Sequence, residues 1–185
     1  MKILLLSPKS SVWNSRTHIH MGLGYLAGAL IAAGYDDVTL VEEQIEDEPL
    51  SSLLARERYD LVGISSPTPL IYEAWEAATL AKEQRAITIL GGPHLTLLPD
   101  ESMQKPEVDL VVRGEAEETI VEIVQAIEAT GQEGDEAALR LPGQPWGDVL
   151  GLSYRNLAGE VVHNPDRPLR KDIESIPWPA YHLFK

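Results

Sequence analysis

Hydroxyl side chains and glycines occur together at two points where buried strands are expected to end. Ser65, Ser66 and Thr68 follow one apolar run, and Gly91 and Gly92 follow another. A glycine lets a ligand approach the backbone closely because it carries no Cβ. Surfaces of this kind hold an organic group by shape and hydrogen bonds. The two segments predict a binding surface without a catalytic pair, although Gly91-Gly92 alone is equally consistent with a tight turn.

Three histidines raise the question of a metal site. His18 and His20 form an HxH pair in the long loop after the first predicted strand, and His94 is the only plausible third ligand. A protein metal site of this type needs three or four ligands. We therefore predict no metal site, and we expect these histidines to be polar loop residues, some of them in contact with a ligand.

A glycine pattern that begins at Gly22 superficially resembles a dinucleotide-binding fingerprint. The spacing of Gly22, Gly24 and Gly28 is GxGxxxG rather than GxGxxG, and the pattern begins well after the first predicted strand. A pyrophosphate turn needs its glycines directly after the strand. We therefore expect close packing of a helix against the sheet here, with Gly22 at the end of a loop that could face a ligand.

Gly114 and the acids Glu115, Glu117 and Glu118 follow the fifth predicted strand. Acidic side chains near a helix N-terminus are stabilised by the helix dipole, so helix capping is the simplest interpretation of the three acids. A carboxylate pair for acid–base catalysis would need a matching site, and the sequence offers none.

Short apolar runs alternate with helical patterns along residues 1–130. Continuous apolar strands, each followed by a helix, predict a parallel sheet covered on both faces. We predict an α/β, flavodoxin-like (Rossmann-like) doubly wound fold with five parallel strands, whose ligand crevice lies at the strand ends between the first and third strands. The predicted strands are Ile3 to Leu6, Val38 to Val41, Tyr59 to Ser65, Ile87 to Leu90 and Val108 to Val112.

The composition changes after Thr130. Residues 131–147 are rich in Gly, Pro and acids, which predicts a loop or linker. Val149 to Tyr154 and Val161 to His163 predict a β-hairpin. Pro168 to Lys185 predicts an extended strap that either lies on this domain or leads into another. We therefore expect one domain at residues 1–132 and a linker, hairpin and strap at 133–185.

Charge and composition exclude several classes of function. The 185 residues carry a formal net charge of −14 and include no cysteine. The negative charge argues against nucleic acid and anionic membranes as partners, and the lack of cysteine excludes a Cys-ligated iron–sulfur cluster within this chain. No signal peptide or membrane-spanning run is found, so we expect a cytoplasmic protein.

Enzyme and signalling motifs common on this fold are missing. A receiver domain needs acids where Ser7-Pro8 and Ser65-Ser66 stand. The chain also lacks a G-x-S-x-G motif and a P-loop.

An ordered set of segments resembles the cobalamin (vitamin B12)-binding domain of B12-dependent radical S-adenosylmethionine (SAM) enzymes. The most specific is VVRGEAEET, Val111 to Thr119, which is similar to the family's "vvrGEgEeT". The other matching segments are Met21 to Ala27, Val62 to Ser66, Ile89 to His94, Gly151 to Arg155, Gly159 to Val162 and Asp172 to Ala180.

The resemblance implies where the cofactor binds. The nucleotide tail of cobalamin would enter the crevice between the first and third strands, and the corrin ring would lie across the strand ends, with its lower side facing residues between Trp13 and His20. The cofactor-binding residues that the resemblance implies are Ser65, Ser66, Thr68, Gly91, Gly92, Pro93, His94, His20, Gly22, Gly114 and Glu115.

Two family features are missing from the sequence. The D-x-H-x-x-G motif that supplies a cobalt ligand is absent, which implies either cobalamin bound without a protein histidine or a domain that has lost the cofactor. The CxxxCxxC cluster motif is also absent, so this chain alone is not expected to cleave SAM. The parent enzyme implied is a radical SAM methyltransferase or an oxidative cyclase, such as the anaerobic Mg-protoporphyrin monomethyl ester cyclase, whose radical SAM domain carries a 4Fe-4S iron–sulfur cluster.

Two alternatives remain open. The chain could be a structural or interaction domain that keeps the fold without the cofactor, in which case large side chains should plug the crevice. A small-nucleotide-binding enzyme on the same fold would need a phosphate cradle that the sequence does not reveal.

Overall fold

A computed structural model of the chain describes residues 1–10, 19–131 and 145–185. Within these ranges the strands are β1 (Ile3–Ser7), β2 (Val38–Glu42), β3 (Leu61–Ser65), β4 (Ile87–Gly91), β5 (Leu110–Val112), β6 (Leu152–Arg155) and β7 (Val161–His163). The helices are α1 (Met21–Ala32), α2 (Leu50–Arg56), α3 (Ile71–Glu83), α4 (Pro93–Leu97), α5 (Pro99–Met103) and α6 (Glu117–Ala129). Three-residue 3₁₀ turns lie at Thr68–Leu70, Ile173–Ser175 and Tyr181–Leu183.

The strands form one sheet in the order β2-β1-β3-β4-β5-β6-β7. The first five are parallel, with Leu5 opposite both Leu40 of β2 and Gly63 of β3. The order 2-1-3-4-5 is that of flavodoxin-like folds, and it brings the carboxyl ends of β1 and β3 side by side at the topological switch point. The predicted α/β flavodoxin-like sheet is confirmed.

Two hydrophobic layers cover the sheet, one on each face. Ile3 and Leu5 of β1 pack with α1 and α6, whereas Leu4 and Leu6 pack with α2 and α3. All four side chains are fully buried. Successive residues of a strand point to opposite faces, so a continuous apolar run serves a sheet that is covered on both sides.

The predicted C-terminal hairpin is present as β6 and β7, and it continues the main sheet. β6 pairs antiparallel with β5, with Leu110 opposite Tyr154. The buried Arg113 guanidinium strengthens this junction, since it donates to the Leu152 carbonyl at 3.1 Å and to the Asp166 carboxylate at 2.9 Å. The sheet therefore has seven strands, two more than the five-stranded parallel part predicted from the sequence.

The strap, residues 168–185, lies on the outer face of α1. The Ala180 amide donates to the Gly24 carbonyl at 2.9 Å. A Cβ built on Gly28 would lie 2.2 Å from the Trp178 carbonyl oxygen, and one on Gly24 would lie 2.9 Å from the Phe184 ring. The prediction that these glycines serve helix-to-sheet packing is wrong, because they admit the strap instead.

None of the described helices is long and apolar enough to cross a membrane.

Candidate functional site

A narrow apolar cavity, called the slot below, lies between α1 and α6 at the carboxyl ends of the parallel strands. Its volume is about 50 Å³. The only hydroxyl group among its lining residues in the described part of the chain is that of Ser65. The slot is lined by Leu5, Leu23, Leu26, Gly63, Ile64, Ser65, Ile89, Gly91, Gly92, Val112, Ala116 and Ile120.

Glycines open the floor of the slot. Gly63 lies in the interior of β3, where a Cβ would come 3.0 Å from the Leu5 side chain. Gly91 ends β4, and a Cβ there would meet its first neighbour, the Val112 carbonyl oxygen, at 3.7 Å. The missing side chains leave a flat backbone surface at the strand ends, which suits the close approach of a planar group.

Gly92 holds the end of β4 against the loop that follows β3. Its φ is +104°, a conformation that favours glycine, and a Cβ would lie 2.9 Å from the Ser66 carbonyl oxygen. The Ser66 amide donates to the Gly91 carbonyl at 2.9 Å, and the His94 amide donates to the Ser66 carbonyl at 3.3 Å. These bonds fix the two loops to each other and so fix one wall of the slot.

Ser66, Thr68, Pro93 and His94 shape this wall without lining the slot. Ser66 is fully buried, and its hydroxyl donates to the Pro67 carbonyl at 3.0 Å. His94 is 2% exposed, with Nδ1 at 3.3 Å from the Thr68 hydroxyl. Its Nε2 lies 3.3 Å from the Glu101 carboxylate, without the alignment of a hydrogen bond. Pro93 is exposed at the start of α4.

His20 caps the start of α1. Its Nδ1 accepts a hydrogen bond from the Leu23 amide at 3.2 Å, and its own amide donates to the Glu42 carboxylate. Burial lowers the pKa of the imidazole, and this effect outweighs the nearby Glu42 carboxylate. His20 is therefore neutral near pH 7, and because Nδ1 accepts, the ring proton is assigned to Nε2. Gly22 is exposed beside this ring.

Residues of the loop between β5 and α6 contact both the slot and the strap. Gly114 has φ +75°, and its amide donates to the Thr96 hydroxyl at 3.0 Å. The Glu115 carboxylate accepts from the Arg170 amide of the strap at 2.9 Å. Ala116 lines the slot. The contact to the strap therefore holds the Glu115 side chain, and the neighbouring Ala116 faces the cavity.

Of the residues implied by the sequence, the structure brings Ser65, Gly91 and Gly92 into the slot lining. Sequence reasoning missed the apolar side chains contributed by α1 and α6. Gly63 carried a usable signal, because a glycine within a buried strand often marks a close approach to the backbone. Leu23, Leu26 and Ile120 carried none, since slot-lining and core residues of an amphipathic helix share one periodicity.

The metal hypothesis concerned His18, His20 and His94. His18 lies outside the described residues. In the described ranges no three His, Cys, Asp or Glu side chains are grouped as metal ligands would be.

The comparisons with known proteins agree with this geometry. Residues 15–124 match the model of the B12 binding domain family. The chain belongs to this family. The B12-binding domain is 34% identical, over its whole length, to an uncharacterized methyltransferase of Pyrococcus horikoshii, of which it covers 39%. It is 33% identical, over 83% of its length, to the anaerobic magnesium-protoporphyrin IX monomethyl ester cyclase of Rubrivivax gelatinosus, of which it covers 27%.

Solved structures share the fold of this B12-binding domain. OxsB, a cobalamin-dependent SAM radical enzyme with aqua-cobalamin and SAM bound, superimposes with a TM-score of 0.71 at 18% identity, over 97% of this chain and 24% of OxsB. TsrM from Kitasatospora setae, with cobalamin and a 4Fe-4S cluster bound, gives 0.67 at 20% identity, over 91% of this chain and 32% of TsrM. The predicted membership among B12-binding domains homologous to those of radical SAM methyltransferases and the cyclase is confirmed.

Proposed function

We propose that this domain binds cobalamin with the nucleotide tail in the slot and the corrin ring across the carboxyl ends of the strands. The observation that carries the proposal is the glycine floor of the slot, formed by Gly63 of β3, beside the topological switch point, and Gly91 at the end of the neighbouring β4. Apolar side chains from α1 and α6 would contact the two faces of the tail's base, and the Ser65 hydroxyl would hydrogen-bond its polar edge. When bound, cobalamin supplies a cobalt centre that can carry a methyl group or exchange electrons.

The remaining predicted residues would have supporting roles. Ser66, Thr68, Pro93 and His94 would keep the loops after β3 and β4 in position. His20, Gly22 and Gly114 would lie at the rim, near the edge of the corrin ring. Glu115 would act indirectly, because its carboxylate is held by the strap.

Neither His20 nor His94, the two described histidines near the slot, would bind cobalt. Nδ1 of His20 accepts from the Leu23 amide, so in the neutral ring Nε2 carries the proton and has no lone pair to offer a metal. His94 of α4 is buried, with its two ring nitrogens beside the Thr68 hydroxyl and the Glu101 carboxylate. Both observations support the prediction made from the missing D-x-H-x-x-G motif.

The radical step would come from another domain or protein that supplies a 4Fe-4S cluster and SAM. This chain has no cysteine to ligate such a cluster. The named relatives include a methyltransferase and a cyclase, so methyl transfer and oxidative cyclisation are the two reactions the domain would serve. The cofactor would carry the difficult chemistry, and this chain would bind and orient it.

One observation favours the alternative, an interaction domain without cofactor. The slot volume of about 50 Å³ is smaller than a nucleotide base, so side chains have to move before a base can bind. Leu26 is only half-buried and can turn outward, which makes such a movement possible. The two functions therefore differ in whether the slot opens to cobalamin.

The test is retention of hydroxocobalamin by the purified protein after desalting, read from its visible absorbance. Gly91→Leu should fill the slot without straining the backbone, because φ of Gly91 is not positive and a Cβ has room. We expect retention by the wild type and a loss of affinity of about a hundredfold in Gly91→Leu, on the order of a blocked apolar pocket.

Ala158→Leu is the matched control, since it adds the same side chain on the exposed hairpin turn. It should retain cobalamin like the wild type. Failure of the folded wild type to retain any cobalamin would contradict the proposal and favour the interaction domain.

A further inference from the structure

The strap contacts both helices that form the walls of the slot. On the α6 side the contacts are hydrogen bonds and ion pairs of two arginines. The Arg170 amide donates to Glu115 at 2.9 Å, and the Arg170 guanidinium pairs with Glu118. Arg167, the residue before the strap, donates from Nε to the Thr119 hydroxyl at 2.8 Å and pairs with Glu118 at 2.8 Å. The Arg167 side chain is 10% exposed, whereas its partner Glu118 is 46% exposed, so the ion pair lies at the edge of the buried region.

On the α1 side the contacts depend on the absence of side chains. Gly24 accepts the Ala180 amide at 2.9 Å, and Gly28 lies against the Trp178 backbone so closely that no Cβ fits. Ala180 is 5% exposed and belongs to the same hydrophobic layer as α1 and α6. The strap is therefore docked on α1 at two successive turns.

The same turns line the slot from their other face. Leu23 and Leu26 of α1 point into the slot, one residue before Gly24 and two before Gly28. On the other wall Ala116 and Ile120 line the slot, within the same two turns as the residues that Arg167 and Arg170 contact. The strap thus ties together, from outside, the two helix ends whose separation sets the width of the slot.

We propose that the strap is a brace that fixes the separation of α1 and α6, so that the slot admits the nucleotide tail by side-chain movement alone, and that Arg167, Arg170 and Gly28 are positioning residues for the cofactor. The inference rests on the proposed function, because it concerns the same slot. Without the brace the first turns of α1 and α6 sample several separations, and only a fraction of the molecules has a slot of the right width. The apparent affinity for a ligand falls by that fraction.

The coupling works in both directions, as linkage requires. If docking of the strap strengthens binding of the tail, binding of the tail strengthens docking of the strap by the same factor. Cobalamin in the slot should therefore protect the strap from local opening. Lys171, which is exposed within the strap, provides a trypsin site that reports on such opening.

The experiment compares cobalamin with cobinamide, which has the corrin ring but lacks the nucleotide tail. Dissociation constants for both are measured on the wild type, Gly28→Ala and Arg170→Gln. We expect both variants to bind cobalamin about tenfold more weakly and cobinamide with little change, because the brace acts on the slot alone.

The two variants guard against trivial explanations. Alanine is a better helix former than glycine, so a defect in Gly28→Ala arises from the displaced strap and not from a weaker helix. Arg170→Gln removes the partly exposed ion pair with Glu118 and a hydrogen bond to Ser175 of the strap, and it keeps the test valid if Gly28→Ala fails to fold. Arg56→Gln is the matched control, since it removes the arginine at the end of α2 from its ion pair with Glu48. It should leave both dissociation constants unchanged.

Trypsin cleavage after Lys171 gives an independent measurement. Cobalamin should slow this cleavage in the wild type, and cobinamide should not. Unchanged or tighter cobalamin binding in the folded variants overturns the brace, while cobalamin binding by the wild type leaves the proposed function standing. If the folded wild type binds no cobalamin, the proposed function fails and the brace fails with it.

Discussion

The two ends of the parallel strands carry cavities of opposite character. At the amino end of β5 a cavity of about 510 Å³, called the amino-end cavity below, is lined by Lys82, Asp109, Trp146, Tyr154, Arg155 and neighbouring residues. The slot at the carboxyl ends has only about 50 Å³. By volume and by charge the amino-end cavity would be the first choice for a binding site.

The hydrogen bonds of the charged groups argue against a binding site in the amino-end cavity. Asp109 accepts from Lys82 at 2.9 Å and from the Thr88 amide at 2.8 Å, and burial raises the pKa of its carboxyl group in spite of Lys82. Arg155 donates to the carbonyl groups of Met103 and Val108. These charges join β5, α3 and the hairpin, whereas the slot is lined by apolar side chains, three glycines and the hydroxyl of Ser65. Charged side chains in the amino-end cavity therefore form structural bonds, and the slot remains the proposed cofactor site.

The largest effect on stability should come from the amino-end cavity. Asp109→Ala removes the carboxylate from Lys82 and the acceptor from the Thr88 amide, and we expect a loss of about 3 kcal/mol in the free energy of unfolding. Urea unfolding measures this loss. The cobalamin dissociation constant of the folded variant should not change.

Asp148→Ala, which removes an exposed acid, is the control for the change in net charge. A variant Asp109→Ala with unchanged stability and weaker cobalamin binding would mean that the site lies at the amino end.

A smaller effect, on binding alone, should come from the hydroxyl group in the slot. Ser65→Ala removes one hydrogen bond to the tail, which is worth about 1 kcal/mol or roughly fivefold in the dissociation constant. Equilibrium dialysis with cobalamin measures the change, and cobinamide binding should be unaffected. An equal loss for both ligands would show that Ser65 acts on the corrin ring.

The smallest effect should be a pH dependence of the free energy of unfolding that arises from His20 at the rim of the slot. Burial lowers the pKa of His20 below its ordinary value of 6.5. As the pH falls below 6.5, His20 takes up a proton in the unfolded chain but not in the folded chain. The free energy of unfolding therefore decreases as the pH falls from 6.5 to the lowered pKa of the folded state. His20→Asn keeps an acceptor for capping α1 and should reduce this loss.

The measurement is the unfolding free energy at about pH 5 and about pH 7.5, in the wild type and in His20→Asn. The wild type should lose more stability at the lower pH than the variant. Equal losses would mean that groups other than His20 determine the pH dependence.

The sequence was sufficient for the fold and for part of the site. Uninterrupted apolar strands alternating with helices predict the doubly wound sheet, and Ser65, Gly91 and Gly92 follow from the carboxyl ends of the third and fourth strands. These features are local, since each depends on residues adjacent in the chain.

The parts that the sequence did not reveal depend on contacts between distant segments. In the sequence, Gly28 cannot be told apart from a glycine that packs a helix against a sheet. Only the path of the strap shows that Trp178 is its neighbour. Glu115 has the position of a helix-capping acid, and its partner Arg170 lies 55 residues away. No local pattern encodes such pairs.

The most direct test of the central claim is a methyl NMR titration of the protein labelled at leucine and isoleucine. Cobalamin should shift the methyl signals of Leu23, Leu26 and Ile120, and cobinamide should leave them in place, because only cobalamin has a tail to occupy the slot. Cobalamin-induced shifts at Leu110 and Leu157, which line the amino-end cavity, with none in the slot would contradict the account.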